Sequence, residues 1–259
     1  MTITVPTLYS LGGKVAIVTG STRGIGRTIA TGLAQAGASV VVSSEDAAAV
    51  SDAQAALAAQ GLTVLGVPCD VRERGQLVDL VEQTISHFGR LDILVCNAGI
   101  AGRAGPDSDG DLDDFDVVMA INLRSAAALT AIALPKMTSG GSVVLISSIA
   151  GLRGNGGLGS YALAKAGIAQ LARNLAVKWG PRGIRVNALS PGLIDTEFAN
   201  RLIKDEVFMA QRMRMTPLRR VGQPEEVAAA ALFLASAAGG FVSGHNLVVD
   251  GGTLITDGS

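Results

Sequence analysis

A tyrosine and a lysine near the middle of the chain have the types and spacing of an acid/base pair. Tyr161 and Lys165 lie four residues apart in an alanine-rich stretch that we expect to be helical, so the two side chains share one helix face. A phenol with an ordinary pKa of about 10 is a poor proton donor or acceptor at neutral pH, and a nearby ammonium lowers that pKa. The pair predicts proton transfer, although a half-buried tyrosine beside a solvated lysine would have the same spacing.

A glycine-rich turn near the start of the chain has the pattern of an anion-binding site. Residues 14–19 form an apolar run typical of a β-strand, and Gly20, Gly24 and Gly26 follow it, leading into an amphipathic helix predicted over 24–36. Bare backbone lets a pyrophosphate approach, and a helix N-terminus presents free N–H groups to it. The spacing is G-x-x-x-G-x-G instead of the commoner G-x-G-x-x-G, and a tight turn is the alternative interpretation of the glycines alone.

Apolar runs and helical periodicities alternate along the rest of the chain. Strands are predicted near 15–19, 39–43, 62–67, 92–96, 142–147, 184–189 and 246–249, and helices near 24–36, 46–60, 73–88, 113–137, 158–180 and 224–237. This alternation predicts one α/β domain over 1–259 with a parallel sheet and right-handed crossovers. Ligands of such a sheet bind outside the carboxyl ends of its strands, and the motifs fall there.

With these motifs the chain resembles a classical short-chain dehydrogenase/reductase (SDR) over nearly its whole length. The residues that carry the resemblance are Thr19-Gly20-x-x-x-Gly24-x-Gly26, Asp70-Val71, Asn97-Ala98-Gly99, Asn122, Ser148, Tyr161-x-x-x-Lys165, and Pro191-Gly192 with Thr196. The family implies a Rossmann-type doubly wound domain, with seven parallel strands in the order 3-2-1-4-5-6-7 and helices on both faces. Of the pair Ser147-Ser148, the second precedes Tyr161 by 13 residues, which is the separation used in the family.

The resemblance implies an NAD(P)-dependent oxidoreductase that moves a hydride between a nicotinamide cofactor and a secondary alcohol or ketone. Tyr161 would exchange the proton, Lys165 would lower its pKa and bond the nicotinamide ribose, Ser148 would hold the substrate oxygen, and Asn122 would maintain a helix irregularity and a water. The implied cofactor-binding residues are Gly20, Thr22, Arg23, Gly24, Ile25, Gly26, Ser44, Glu45, Asp70, Val71, Asn97, Ala98, Gly99, Tyr161, Lys165, Pro191, Gly192, Ile194 and Thr196.

Two positions bear on which nicotinamide cofactor is used. Ser44 and Glu45 follow the second predicted strand, and Glu45 lies 19 residues after Gly26, close to the spacing of an acid that binds ribose hydroxyls. A carboxylate there would repel the 2′-phosphate of NADP. Arg23 in the glycine turn favours NADP, since family members that use NADP often carry a basic residue there. We expect NAD, with NADP as the alternative.

Composition and charge argue against several other classes. A net charge of −1 gives no global field for nucleic acid or an anionic membrane, and neither a membrane span nor a secretory signal is expected, which predicts a cytoplasmic protein. Cys69 and Cys96 are expected to be free and buried, and the two isolated histidines, His87 and His245, support neither a metal site nor a Ser-His-Asp triad.

The aspartate-rich segment from Asp107 to Asp116 suggests a calcium loop but lacks its required residues. Counted from Asp107, the sixth position is Leu112 instead of glycine and the twelfth is Val118 instead of glutamate. N-capping of the following helix is the better interpretation. By resemblance, residues 102–109 would line the substrate cleft.

A second segment, Gly192 to Gly222, corresponds to the substrate lid of the family. Its apolar residues are Phe198, Leu202, Phe208, Met209, Met213 and Met215. They predict a substrate with a hydrophobic portion, and ordinary packing of lid helices on the body is the alternative. Closure of such a lid would exclude water from the reacting centre.

The family commonly forms homotetramers through its two long helices, here 113–137 and 158–180, and we expect the same assembly. A catalytically silent nucleotide-binding scaffold on the same fold is the alternative function, but all four catalytic positions are occupied. An extended epimerase or dehydratase does not fit the chain length or the glycine spacing.

Overall fold

The computed structural model describes residues 4–103 and 111–256, in which seven parallel strands form one sheet. The strand order is β3-β2-β1-β4-β5-β6-β7, as predicted. The strands are β1 Val15–Thr19, β2 Ser39–Ser43, β3 Val64–Gly66, β4 Ile93–Cys96, β5 Ser142–Ile146, β6 Arg185–Pro191 and β7 Asn246–Val249. The order reverses between β1 and β4, which pair with Ala16 opposite Ile93.

Helices cover both faces of the sheet. They are α1 Val5–Leu8, α2 Gly24–Gln35, α3 Ala47–Ala58, α4 Arg74–Phe88, α5 Leu112–Met119, α6 Ser125–Ala133, α7 Gly159–Trp179, α8 Asn200–Ile203, α9 Glu206–Arg214 and α10 Pro224–Ala235. Strand alternation separates two apolar cores. Val18 of β1 packs with the inner sides of α2, α3 and α10, and Ile17 packs with α4, α6 and α7. A sheet buried on both faces needs apolar residues at successive positions, which explains the continuous apolar runs.

The long helix predicted over 113–137 is interrupted. A π-helical segment, Ala120–Arg124, lies between α5 and α6, and a short 3₁₀ turn follows at Leu134–Lys136. The whole run from Leu112 to Lys136 is long and apolar enough to cross a membrane by length and composition alone, and 44% of its most apolar window is buried. Its inner face packs against α4 and α7, so the apolar sequence has an explanation in the protein core.

The aspartate-rich segment has its predicted capping role where the structure describes it. The Asp111 side chain accepts a hydrogen bond of 3.0 Å from the amide of Asp114 at the start of α5. Residues 104–110, which include most of the predicted cleft-lining segment 102–109, lie outside the described residues. The lid predicted over 192–222 contains α8, α9 and a 3₁₀ turn at Glu197–Ala199, and both cysteines are free and buried, as expected.

Candidate active site

The glycine turn after β1 is braced by the segment that follows β4. Asn97 donates from Nδ2 to the carbonyl oxygens of Thr19, at 3.0 Å, and Gly20, at 2.9 Å. In return, Thr19 Oγ1 accepts from the amides of Asn97 and Ala98 at 3.1 and 3.2 Å. A Cβ at Gly26 would overlap the Gly20 carbonyl oxygen and Asn97 Nδ2. The turn therefore needs glycine at this position, and the predicted residue Asn97 supports the turn from behind.

Backbone amides at the start of α2 remain available to an anion. Arg23 occupies the N-cap position without a side-chain capping bond, and no hydrogen bond of the described residues uses the amides of Gly24, Ile25 or Gly26. Such amides and the helix dipole favour a phosphate group. Thr22 lies beside them in the same turn, half-buried.

A serine that the sequence analysis did not select joins this turn to β2. Ser21 Oγ donates to the Val18 carbonyl oxygen at 2.7 Å and accepts from the Ser43 amide at 2.9 Å, fully buried. Ser44 and Glu45 follow directly. Ser44 Oγ donates to Glu45 Oε2 at 3.0 Å, and the Glu45 side chain is exposed beyond it.

Asp70 and Val71 follow β3 in the same corner of the molecule, together with an arginine that was not predicted. Arg72 donates to both carboxylate oxygens of Asp70, with its shortest contact at 2.6 Å. This bond raises the pKa of Arg72, to which Glu73 and then Glu45 add smaller contributions, and it lowers the pKa of Asp70. Arg72 in this corner is thus already paired with an acid, Asp70.

Asn122 lies in the π-helical segment and joins it to the loop after β4. Its Oδ1 accepts from the amide of Ile100 and its Nδ2 donates to the carbonyl oxygen of the same residue, both at 2.8 Å. This confirms the helix irregularity expected at Asn122, and π segments often occur at functional sites. A Cβ at Gly99 would lie 2.9 Å from Asn122 Oδ1 and 3.5 Å from Lys165 Nζ, so these two side chains meet at Gly99.

Lys165 is buried beneath the predicted proton donor. It is 4% exposed and its Nζ donates to the Ile146 carbonyl oxygen at 2.8 Å. Nζ lies 5.6 Å from the centre of the Tyr161 ring. Burial lowers the pKa of Lys165 to about 8. The predicted pair therefore shares one side of α7, as its spacing indicated.

The two serines after β5 have different roles, and Ser148 faces the tyrosine. Ser147 Oγ is buried and donates to the Lys165 carbonyl oxygen at 2.7 Å. Ser148 Oγ accepts from the Ala150 amide at 3.1 Å, and hydrogen bonding by Ser148 lowers the pKa of Tyr161. The choice of Ser148 over Ser147 agrees with this geometry.

One electrostatic expectation is wrong. Burial raises the pKa of Tyr161, and the hydrogen bond with Ser148 only partly opposes this effect. The expected lowering by Lys165 does not dominate, because desolvation penalises the charged phenolate. Tyr161 is thus a neutral phenol at neutral pH, ready to donate a proton.

The two ends of the predicted lid lie together beside β7. Gly192, after Pro191, donates its amide to the Val249 carbonyl oxygen at 2.9 Å. Ile194 is buried and pairs with Gly222 at the far end of the lid. These contacts fix the two ends of the lid to each other and to β7.

Three consecutive lid residues reach the predicted site. A Cβ at Gly24 would lie 3.6 Å from Thr196 Cγ2. Glu197 approaches Arg23 at 3.7 Å, with both side chains largely exposed. The Phe198 ring lies 6.2 Å from the Tyr161 ring between centroids. The glycine turn and Tyr161 are therefore both approached by one segment of the predicted lid.

Comparisons with known proteins agree with this geometry. A family model described as Enoyl-(Acyl carrier protein) reductase matches residues 20–253. A relative from Oryctolagus cuniculus, named dehydrogenase/reductase SDR family member 4, is 40% identical over 93% of this chain and 94% of its own.

Two solved structures are similar along nearly the whole chain. A gluconate 5-dehydrogenase from Burkholderia cenocepacia J2315, in complex with NADP and tartrate, has a TM-score of 0.92 and 32% identity, covering 98% of this chain and 100% of its own. A 7 alpha-hydroxysteroid dehydrogenase complexed with NADH and 7-oxo glycochenodeoxycholic acid has a TM-score of 0.91 and 38% identity, covering 97% and 98%. The chain belongs to the short-chain dehydrogenase/reductase family and is a nicotinamide-dependent oxidoreductase of alcohols and ketones.

Proposed function

We propose that the protein prefers NAD and interconverts a secondary alcohol and a ketone that carries a hydrophobic portion. The observation that supports this most strongly is the meeting of Ser148, Tyr161 and Lys165 beside a turn suited to a dinucleotide. The unused amides of Gly24 to Gly26 fit the pyrophosphate, the exposed Glu45 carboxylate fits the adenosine ribose hydroxyls, and the Gly99 corner with Lys165 fits the second ribose.

The nicotinamide, when bound, supplies or accepts the hydride; the side chains of the chain move the proton. In reduction, Tyr161 donates its proton to the substrate oxygen, which Ser148 holds by a hydrogen bond. Lys165 then stabilises the phenolate through its charge, 5.6 Å from the ring centre. In oxidation Tyr161 must first lose its proton, and its raised pKa predicts that alcohol oxidation becomes faster as the pH rises above neutral.

The preference for NAD rests on the charges around the predicted adenosine end. Both arginines near this end already have acidic neighbours, because Arg23 approaches Glu197 and Arg72 binds Asp70. Glu45 is exposed and has only the Ser44 hydroxyl as a hydrogen-bond donor among the described residues. The 2′-phosphate of NADP would therefore be repelled by the Glu45 carboxylate. Arg23 and Arg72 could bind it only by giving up their contacts with Glu197 and Asp70.

A charge reversal tests this preference. Glu45→Arg replaces the repulsive charge with a cation. The interaction energy of two unit charges in contact is on the order of 1 kcal/mol in a water-like dielectric and on the order of 4 kcal/mol in the dielectric near a protein surface. The ratio of kcat/KM for NADP to that for NAD should rise at least about tenfold. Asp52→Arg on the exposed side of α3 makes the same change of charge and should leave the ratio unchanged.

The assay first requires a substrate, found with a panel of secondary alcohols and ketones followed at the nicotinamide absorbance with both cofactors. A wild-type enzyme that already prefers NADP would show that Arg23 or Arg72 outweighs Glu45. An unchanged ratio in Glu45→Arg would show that this side chain does not face the ribose.

Exposed apolar side chains of the lid favour a substrate with a hydrophobic portion. Phe198 is 56% exposed beside Tyr161, and Leu202 is 40% exposed one turn further on. Burying such side chains against a ligand is favourable. Phe198→Ala should therefore raise KM more for ketones with long aliphatic chains than for ketones with short ones.

A homotetramer is part of the same proposal. Apolar side chains remain exposed on the two long helical runs, Val117 on α5 and Leu163 and Val177 on α7, the last of these 81% exposed. Small neighbouring residues allow close approach of a second copy, and closed symmetric assembly would remove these side chains from water.

A further inference from the structure

A buried serine joins the end of β5 to the helix that carries Tyr161 and Lys165. Ser147, the first residue after β5, is 3% exposed, and its Oγ donates to the Lys165 carbonyl oxygen at 2.7 Å. Its amide donates to the Leu189 carbonyl oxygen of β6 at 2.7 Å, so the backbone of Ser147 is held in the sheet. One side chain thus ties the sheet to the backbone of α7 at the residue that supplies the ammonium group.

The helix does not need this bond for its own hydrogen bonding. Lys165 lies in the interior of α7, where the carbonyl oxygen of each residue accepts from the amide four residues further on. A carbonyl oxygen has a second lone pair, and the Ser147 hydroxyl uses it. The bond therefore adds a contact between two elements instead of completing one of them.

Two further contacts join the same segments of the chain. The Lys165 Nζ donates to the Ile146 carbonyl oxygen at 2.8 Å. A Cβ at Gly151 would lie 2.5 Å from the Ala166 amide nitrogen and 2.6 Å from the Lys165 carbonyl carbon, so the two backbones are in direct contact there. Residues 147–151, which we call the β5 arch, are therefore fixed at both ends to α7 beside Lys165.

The β5 arch carries Ser148, the predicted holder of the substrate oxygen. Ser148 Oγ accepts from the Ala150 amide at 3.1 Å inside the arch, so its position follows that of the arch. On the helix side, the Lys165 Nζ lies 5.6 Å from the centre of the Tyr161 ring. A shift of α7 relative to the arch would thus change the distance from the proton donor to the substrate oxygen.

We infer that Ser147 is a positioning residue, whose hydroxyl sets the separation between Ser148 and Tyr161 by holding α7 on the β5 arch. Its Oγ is buried against the helix backbone, so it acts without touching the reacting atoms. This inference rests on the proposed function, since it needs Tyr161 to transfer the proton, and it does not depend on the preference for NAD. Misplacement of reacting groups by about 1 Å can lower a rate about 100-fold, which is why such a bond affects turnover.

The start of the same strand offers a matched control. Ser142 is fully buried and its Oγ donates to the Leu234 carbonyl oxygen of α10 at 2.9 Å. Like Ser147, it binds a helix carbonyl from one end of β5, but its end of the strand lies away from the predicted site. Ser142→Ala and Ser147→Ala therefore remove the same kind of bond, and an effect through stability alone would be similar in both.

Turnover of the best ketone or alcohol from the panel gives the first test. Ser147→Ala should lower kcat at least about tenfold and leave KM for the cofactor within about twofold of that of the wild type, at equal concentrations of folded enzyme. Ser147→Thr restores the hydroxyl and should recover most of the loss, and Ser142→Ala should retain wild-type kcat. Wild-type kcat in Ser147→Ala, or equal losses in the two alanine variants, would overturn the inference.

A spectroscopic measurement needs no turnover and therefore separates this inference from the proposed function. Tyr9→Phe leaves Tyr161 as the sole tyrosine of the chain, and tyrosine labelled at the ring carbon that bears the hydroxyl then gives one NMR signal. In this background Ser147→Ala should shift the signal, because the surroundings of the hydroxyl change, whereas Ser142→Ala should leave it in place. An unmoved signal in Ser147→Ala would contradict the inference. No turnover of any panel substrate with either cofactor would contradict the proposed function alone.

Discussion

Lys165 holds a charge in a buried position, and its replacement should make the protein more stable while removing its activity. Burial lowers the pKa of Lys165 from 10.5 to about 8, which corresponds to a stability cost of about 3 kcal/mol at pH 7. Lys165→Met keeps a similar volume without the charge. It loses the hydrogen bond to the Ile146 carbonyl oxygen, a loss of about 1 kcal/mol. A net gain of about 2 kcal/mol in the free energy of unfolding is expected at pH 7.

The gain must depend on pH with a defined sign. The unfolded lysine keeps its proton up to its ordinary pKa of 10.5, whereas the folded one loses it near pH 8. Between these values the unfolded state binds more protons, so the stability of the wild type rises with pH relative to that of the mutant. The advantage of Lys165→Met should shrink by about 2 kcal/mol between pH 7 and pH 9.5.

Urea unfolding of both proteins at one protomer concentration, without cofactor, measures this difference. Lys178→Met, at an exposed position of the same helix, is the control and should show no comparable pH-dependent change. A stability difference that is the same at both pH values, or that grows with pH, would refute the assignment of a buried, charged Lys165.

Three further outcomes are expected. Gly26→Ala should abolish NADH binding in a fluorescence titration, because the new Cβ would overlap the Gly20 carbonyl oxygen and Asn97 Nδ2. Gly75→Ala is the control and should bind NADH normally, since no atom lies within 4 Å of its new Cβ. Asn122→Ala removes the side-chain partners of the Ile100 amide and carbonyl oxygen in the loop after β4. It should lower the free energy of unfolding by about 1 to 3 kcal/mol and should also lower turnover. A urea midpoint equal to that of the wild type would contradict this. Light scattering should give a tetramer, and a single mass of 26.2 kDa across micromolar concentrations would show that the protein is a monomer.

The apolar runs were sufficient to place the strands because most of them, such as β1 and β5, are buried on both faces of the sheet, and the strand order followed from the family resemblance. The four-residue spacing was also sufficient to place Tyr161 with Lys165, and the separation used in the family favoured Ser148 over Ser147. The strand bounds agree within about two residues, which is the usual uncertainty at element ends. The helix α1, with four residues, is too short to have a clear periodicity.

Features that depend on distant contacts were not predictable. The family resemblance led us to expect a helix irregularity at Asn122, but the two bonds between Asn122 and Ile100 that accompany it are visible only in the structure. Ser21 appears in the sequence as one more residue of a glycine turn, and only the structure shows that it joins β1 to β2. The raised pKa of Tyr161 follows from burial, which the four-residue spacing to Lys165 does not reveal.

Replacement of Tyr161 by phenylalanine tests the central claim most directly. Tyr161→Phe removes the hydroxyl that exchanges the proton, and turnover of the best ketone or alcohol should fall at least about 100-fold. Binding of NADH should stay close to that of the wild type. Tyr9 is the only other tyrosine in the chain and lies outside the site, so Tyr9→Phe should retain full turnover. A Tyr161→Phe enzyme with wild-type turnover would contradict the mechanism.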